Sequence, residues 1–406
     1  MAIEAKPRAG VARRIRLGMV GGGEGAFIGA VHRIAARLDD QYELVAGALA
    51  STADKAQRSG RELGLAEDRI YTDYAAMATA ESARADGIEA VAIVTPNHLH
   101  APVAEAFLRN SIHVICDKPL ATTSRDARRL QALAVKHGRI FAVTYNYTGY
   151  PMVRQARQMV REGRLGAIRV VQVEYAQDWL TQRLEETGQK QAEWRTDPAR
   201  SGAGGCIGDI GTHAYQLAEY ISGLEATELC AELCTFVAGR RLDDNAQVML
   251  RYAGGARGAL WASQVAPGNE NNLRIRIYGS KGGLDWRQEH PNQLHWSPFG
   301  EPTQTIARGT GAAGAPAVRV TRIPAGHPEG YLEAFATLYG EIAQAIRAAR
   351  RPAQRSVAKA DKVSHFPDVV DGVRGVEFIE AVVSSSARGG RWVRLPATRS
   401  APPVKP

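Results

Sequence analysis

Four short stretches of this chain carry residue types and spacings that could do chemistry. The first is Arg16-Leu-Gly-Met-Val-Gly-Gly-Gly-Glu-Gly-Ala-Phe-Ile-Gly29, an apolar run that enters a glycine-dense turn. Gly21, Gly22 and Gly23 let the backbone approach a ligand with no side chain in the way. A helix after them offers free N–H groups and the positive end of its dipole to an anion. A pyrophosphate is cradled in this way, although a plain strand-turn-helix connection looks the same. The loop is longer than the simple glycine fingerprint, because Glu24 to Phe27 intervene before a helix that should begin near Ile28 and Gly29; Phe27 and Ile28 join the candidate cofactor contacts.

The second stretch is Thr95-Pro96-Asn97-His98-Leu99-His100, a polar turn between an apolar run and a helix. Thr95, Pro96, Asn97 and His100 read as cofactor contacts, Asn97 on a ribose or carboxamide; a polar helix entry is the plainer reading. Its two histidines are half a metal site, but no cysteine or carboxylate nearby completes it, so no metal is expected. In the third stretch, Asp117-Lys118-Pro119, a lysine stands at a strand end beside a rigid proline. Next to a cationic nicotinamide its ammonium would release a proton more readily and could bond a substrate hydroxyl. Taken singly, it could equally be a solvated surface lysine.

The fourth stretch, Gly204-Gly-Cys-Ile-Gly-Asp-Ile-Gly-Thr-His213, opens a helix whose apolar stripe continues through Ala214, Leu217 and Ile221. Asp209 and His213 are four apart and share a face. Glycines at 208 and 211 each cost about 1 kcal/mol in a helix relative to alanine, unless a ligand must approach that backbone. His213 has the character of a general base near neutral pH, with Asp209 to orient it or bond a neighbouring hydroxyl. The alternative is an ordinary Asp-His pair on an amphipathic helix.

The elements that must hold these residues alternate. Apolar runs at 15–20, 42–50, 90–95, 112–116 and 140–145 read as strands, with helices near 29–38, 53–63, 101–110 and 124–137. The last helix has a cap in Thr123 with Asp126 three residues on. Repeated β-α-β means a parallel sheet covered on both faces, with ligands beyond the carboxyl ends of its strands. From residue 147 the pattern becomes alternating strands such as Leu273, Ile275 and Ile277 interleaved with Arg274 and Arg276, which predicts a large, mainly antiparallel open sheet. The fold class is therefore α/β. We expect a loose tail over 1–14, a Rossmann domain over 15–146, an α+β domain over 147–395 for substrate binding and oligomerisation, and a Pro-rich tail over 396–406. The glycine-rich 307–317 segment reads as a flexible loop.

Composition narrows the function. The chain has 406 residues and a formal charge of +9, from 51 Lys and Arg against 42 Asp and Glu. Five of the basic residues fall in the first sixteen, against Glu4 alone. No basic stripe with interleaved aromatics appears, so nucleic acid is not an expected partner. Four cysteines without paired spacing suggest reduced thiols in a cytoplasmic protein. No apolar run reaches the ~18 residues of a membrane span, and the N-terminus does not read as an export signal.

Together, Gly21-Gly22-Gly23 with Gly29, Thr95-Pro96-Asn97-His98, Asp117-Lys118-Pro119 and Gly208-Asp209-Ile210-Gly211-Thr212-His213 resemble the glucose-fructose oxidoreductase, inositol dehydrogenase and rhizopine-catabolism (Gfo/Idh/MocA) family, over about residues 15–395. The resemblance implies a Rossmann domain followed by an open-sheet domain, and oxidation or reduction of a secondary alcohol on a sugar or cyclitol with NAD or NADP. The family's catalytic lysine maps onto Lys118 and its Asp-x-x-x-His pair onto Asp209 and His213. Three features depart from the pattern. Asp117 replaces the usual Glu, the glycine loop is longer, and the acid that binds the ribose hydroxyl about 20 residues after the turn is missing. Ser51 is left there, beside Thr52, to bond a hydroxyl or a 2′-phosphate, and NAD is slightly favoured over NADP.

By position, Tyr147, Trp179, Arg195 and His327 join Asp209 and His213 as candidate substrate contacts, since an aromatic face can stack a sugar and charged groups can bond its hydroxyls. The reading is a cytoplasmic NAD(P)-dependent dehydrogenase, a homodimer or homotetramer built on its open sheet. A glycoside-cleaving enzyme that oxidises, eliminates and re-reduces is the alternative, and a cofactor-sensing regulator a more distant one.

Overall fold

The computed structural model describes residues 13–350 and 365–397. The expected tails lie almost wholly outside them. Five strands form the first sheet: β1 (Ile15–Gly21), β2 (Tyr42–Ala48), β3 (Ala90–Val94), β4 (His113–Cys116) and β5 (Phe141–Val143). They are parallel, in the order β2-β1-β3-β4-β5. β3 is Ala-Val-Ala-Ile-Val and buried throughout, as a central strand covered on both faces must be. The connecting helices are α1 (Phe27–Leu38), α2 (Ala53–Glu62), α3 (Tyr74–Ala83), α4 (His100–Arg109) and α5 (Ser124–His137). At α5 the Thr123 hydroxyl accepts from the Asp126 N–H, Ala127, Leu130, Leu133 and Ala134 are buried, and Gly138 closes the helix in the left-handed region.

Helix α3 has no counterpart in the sequence reading. Its buried positions are Met77, Ala78 and Glu81, so a carboxylate interrupts the apolar stripe that would have announced it. Glu81 is compensated by the buried Arg69 guanidinium and by the Ile88 N–H at 3.0 Å.

The second sheet has nine strands. They are β6 (Ile168–Ala176), β7 (Ala226–Cys234), β8 (Asn245–Tyr252), β9 (Arg257–Ser263), β10 (Asn272–Gly279), β11 (Gly282–Arg287), β12 (Gln293–Pro298), β13 (Gln304–Ala307) and β14 (Val393–Arg394). Their order is β13-β12-β11-β10-β6-β9-β8-β7-β14, antiparallel except where β6 runs beside β9. The helices here are α6 (Pro151–Arg161), α7 (Lys190–Arg195), α8 (Pro198–Ser201), α9 (Thr212–Ser222), α10 (Ala315–Arg319), α11 (Tyr331–Ala349) and α12 (Val369–Ser386). One face of the sheet buries Val171, Val173, Leu273, Ile275 and Ile277 in a core shared with α6 and α9. The opposite face carries Arg274 paired with Asp285, Arg276 paired with Glu174, and the exposed Met249 and Tyr278. The 307–317 segment is more ordered than its glycines suggest: Gly314 N–H donates to Gln155 Oε1 at 2.6 Å and α10 follows at once.

The last two long helices return to the first sheet. Phe335, Tyr339 and Ile342 of α11 share a core with Ile15, Leu17 and Ala92, and Tyr339 Oη lies 2.8 Å from His32 Nδ1. Val373 and Val376 of α12 pack with Val114 and Val143. The Rossmann core is thus completed by chain from two hundred residues downstream. Among the described residues no helix is long and apolar enough to cross a membrane. Phe335→Ala should cost about 3–5 kcal/mol by opening a cavity under the first sheet. Urea denaturation should show the loss despite the residue's distance in sequence from the strands it covers.

Candidate active site

The strand ends of the first sheet and the second unit enclose one cavity of about 1250 Å³. At its floor Gly21 and Gly22 have φ of +79° and +74°. A Cβ on Gly22 would lie 2.9 Å from Gly29 Cα, and one on Gly29 only 2.4 Å from Gly22 Cα. The turn and the first turn of α1 therefore meet backbone to backbone, as a phosphate cradle requires. No side chain caps the N-terminus of α1, leaving its N–H groups for an anion. Three buried polar atoms of cavity-lining residues also lack partners among the described residues: Thr95 Oγ1, Asn146 Nδ2 and His213 Nδ1. Cradle and orphaned atoms together fit a bound dinucleotide and a polar substrate.

Lys118 follows β4 and reaches across to the second unit. Its Nζ donates to Asp209 Oδ1 at 2.8 Å and to the Asp209 carbonyl at 2.6 Å. That carbonyl is available because 207–211 forms a π-type turn, in which the Thr212 N–H reaches back five residues to Ile207 O. Such a turn adds a residue without adding a ladder bond, so one carbonyl is left for another donor. The sequence reading expected an ordinary helix with two costly glycines; the wider turn is what those residues build.

Asp209 Oδ2 accepts from Arg195 Nε at 3.2 Å and Gln264 Nε2 at 2.9 Å. Burial alone would raise its pKa, but the Lys118 and Arg195 cations and their hydrogen bonds outweigh burial and hold it well below the usual carboxylate range. Asp209 does not hydrogen-bond the imidazole one turn on, as the sequence had suggested it might orient it. His213 instead stands among aromatic rings, with Tyr147 and Tyr145 edge-on at 4.9 and 5.6 Å between centroids. Burial, helped by the Lys118 charge and opposed by Asp209, pushes its pKa well below 6.5. The ring is neutral at physiological pH.

The other predicted residues divide. Gly23, Phe27, Ile28, Ser51, Pro96, Asp117, Tyr147 and Trp179 line the same cavity, with Phe27 67 % exposed on its rim. Asn97 lines it too, but its amide donates to Ser201 O at 2.9 Å. His100 is a strut: its nitrogens lie 2.7 Å from Pro119 O and 2.9 Å from Thr95 O, tying the two turns together and leaving neither for a cofactor. The Tyr147 hydroxyl is 2.5 Å from that of Tyr175, which donates to Asn271 Oδ1, so Tyr147 offers its ring rather than its oxygen. His327 does not belong with them. It is exposed and outside the cavity lining, on a loop whose carbonyls are gathered by the buried Arg308.

Sequence reasoning missed a group of amides. Gln177 and Gln264 directly follow β6 and β9, the one parallel pair of the second sheet, and so stand side by side beyond their carboxyl ends. Trp179 Nε1 donates to Gln177 Oε1 at 3.1 Å, and Gln177 Nε2 to Asn271 Oδ1 at 2.8 Å. The signal was present in principle, since parallel neighbours form a ligand crevice at that end, but the parallel pairing could not be read locally.

Comparison with known proteins agrees with this geometry. Residues 15–145 match the oxidoreductase family with an NAD-binding Rossmann fold, and residues 153–285 match the GFO/IDH/MocA C-terminal domain. An oxidoreductase from Sinorhizobium meliloti is 54 % identical and superposes with a TM-score of 0.84, over 94 % of this chain and 100 % of that one. An inositol dehydrogenase homologue from Azotobacter vinelandii, solved with NADH and myo-inositol, is 38 % identical with a TM-score of 0.88, over 94 % of this chain and 98 % of its own. Levoglucosan dehydrogenase of Pseudarthrobacter phenanthrenivorans is 26 % identical over 95 % of this chain and 99 % of its own length. The chain is an NAD-binding oxidoreductase and belongs to the GFO/IDH/MocA family.

Proposed function

We propose that this chain is a dehydrogenase that transfers hydride between a secondary alcohol of a sugar or cyclitol and a nicotinamide dinucleotide. One observation carries the reading. The Lys118 ammonium is fixed on Asp209 one turn before the neutral His213 imidazole, in the cavity that holds the glycine cradle. The myo-inositol held by the Azotobacter vinelandii homologue and the levoglucosan named for the other relative support the substrate class.

The bound dinucleotide supplies the hydride acceptor or donor. His213 takes the hydroxyl proton on its neutral imidazole ring. Lys118 has two acceptors on Asp209 and a third N–H to give the reacting oxygen. With Lys118 and Arg195 around one carboxylate, the cluster carries net positive charge, which steadies alkoxide character on that oxygen. Gln177, Asn271, Gln288 and the Trp179 ring present amides and an apolar face to a polyol. At the end of β2, Ser51 and Thr52 face the cavity beside Lys55, with no acid among residues 49–53, so NAD use leaves room for a 2′-phosphate. We place the enzyme in the cytoplasm, where its four free cysteines stay reduced. We also propose a homodimer or homotetramer joined through the open face of the second sheet.

His213→Asn should leave NADH binding nearly intact and cut turnover roughly 100-fold or more; a normal rate would refute the base role. Because the His213 pKa is depressed, the base stays free through neutral pH and is lost only on acidification, so the acid limb of kcat/KM should lie below pH 6.5. A limb at or above 6.5 assigns the step elsewhere. Met249, 53 % exposed, and Tyr278, 43 % exposed, should become charged only at the cost of assembly. Light scattering of Met249→Glu/Tyr278→Glu should give a smaller species than the parent chain, and a parent chain that is already monomeric would remove the proposed interface.

A further inference from the structure

We propose that Arg200, carried by the second unit, closes over the dinucleotide and pairs with its pyrophosphate. The inference rests on dinucleotide binding by this family and not on the identity of the substrate. Five cations line the cavity: Lys55, Lys118, Lys190, Arg195 and Arg200. Lys118 and Arg195 are both committed to Asp209. Lys55 stands on α2 at the end of β2, the adenosine side, and Lys190 on α7 beside Trp194, the substrate side. Arg200 is half-buried, and among the described residues no carboxylate pairs with it.

Its position is fixed from three directions. Asp197, which caps α8, pairs with Arg241 at 2.7 Å. The Ser201 carbonyl accepts from the buried Asn97 amide at 2.9 Å. Gly202 lies on Thr122, where an added Cβ would meet that side chain at 3.3 Å. Arg200 is thereby held over the carboxyl end of β3. That end adjoins the glycine cradle: Gly21 pairs with Val94 in register, and a Cβ on Gly21 would come within 3.1 Å of Thr95 Cγ2.

The chemistry follows from the charge balance. Backbone N–H groups and a helix terminus offer a pyrophosphate only partial positive charge. A half-buried guanidinium without a counter-ion is costly until an anion arrives, and its planar fork matches two phosphate oxygens. Asn97, read from sequence as a cofactor contact, would act here through Ser201 by holding α8 in place.

The test is calorimetric binding of NADH, ADP-ribose and AMP to the full chain and to Arg200→Gln and Arg200→Met, with circular dichroism to confirm folding. ADP-ribose keeps the pyrophosphate but lacks nicotinamide, and AMP lacks the pyrophosphate. Both variants should bind NADH and ADP-ribose roughly ten- to a hundredfold more weakly and AMP unchanged, the usual consequence of losing a charged hydrogen-bond partner. The difference should shrink in high salt, which screens a partly exposed pair. Arg200→Met keeps the apolar stem, so it decides the matter should Arg200→Gln misfold. ADP-ribose affinity within about twofold of the parent overturns the proposal, because a charged contact is worth more than that. A loss confined to NADH also overturns it, by moving Arg200 to the nicotinamide end. None of these measurements involves substrate or hydride transfer, so this proposal and the sugar-dehydrogenase reading can fail separately.

Discussion

The ion pair between Lys118 and Asp209 is the constraint on which the rest of the site depends. It joins a strand end of the parallel sheet to a helix start under the antiparallel one, with both side chains largely shielded from water. A shielded carboxylate is expensive unless its oxygens are met, and here Lys118, Arg195 and Gln264 meet them. None of these donors comes from the helix that carries Asp209. Lys118 follows β4, Arg195 ends α7 and Gln264 follows β9. The carboxylate therefore reports the correct relative placement of three separate elements, and the cavity takes its shape only when all three are in place.

That placement is backed by packing at a distance. Because α11 and α12 return to the first sheet, the two units are tied at the cavity by polar contacts and behind it by apolar ones. Tyr339 shows both at once: its ring packs against Tyr42, its hydroxyl meets His32, and its carbonyl accepts from Tyr42. His32, buried and pushed down to about 4 by desolvation, stays neutral there. The glycine loop gains rigidity from the same arrangement, with Arg33 of α1 donating to Gly22 O at 2.6 Å. A cradle that must not collapse without its ligand needs such external support, since its glycines supply none.

Much of this was legible in the sequence, where the signal was local. β-branched runs bounded by glycine and polar turns announced all five parallel strands, and the spacing of Asp209 and His213 placed both in one cavity. What escaped reading was long-range or chemically disguised. Helix α3 hid because a paired glutamate occupies its buried side. Gln177 and Gln264 become neighbours only through the parallel pairing of β6 with β9, which lie about ninety residues apart. His100 has a cofactor residue's position but a structural role, visible only once Thr95 and Pro119 lie on either side of it. His327 had suitable chemistry and no way to show that its loop faces away.

The surroundings of His213 show why a general base can sit in so closed a place. Tyr147 and Tyr175 have their pKa values raised by burial, so they remain neutral phenols and cannot compete for a proton. Asp209, held ionised, likewise remains an acceptor of hydrogen bonds already made. The surroundings both permit and oppose protonation of the imidazole: Asp209 favours the cation, while burial and Lys118 disfavour it. A base poised in this way takes the hydroxyl proton as hydride leaves the carbinol carbon and the oxygen becomes a carbonyl, and gives the proton up easily afterwards. The aromatic enclosure is therefore part of the chemistry, because it keeps the imidazole unprotonated further into acid than a solvated ring would be.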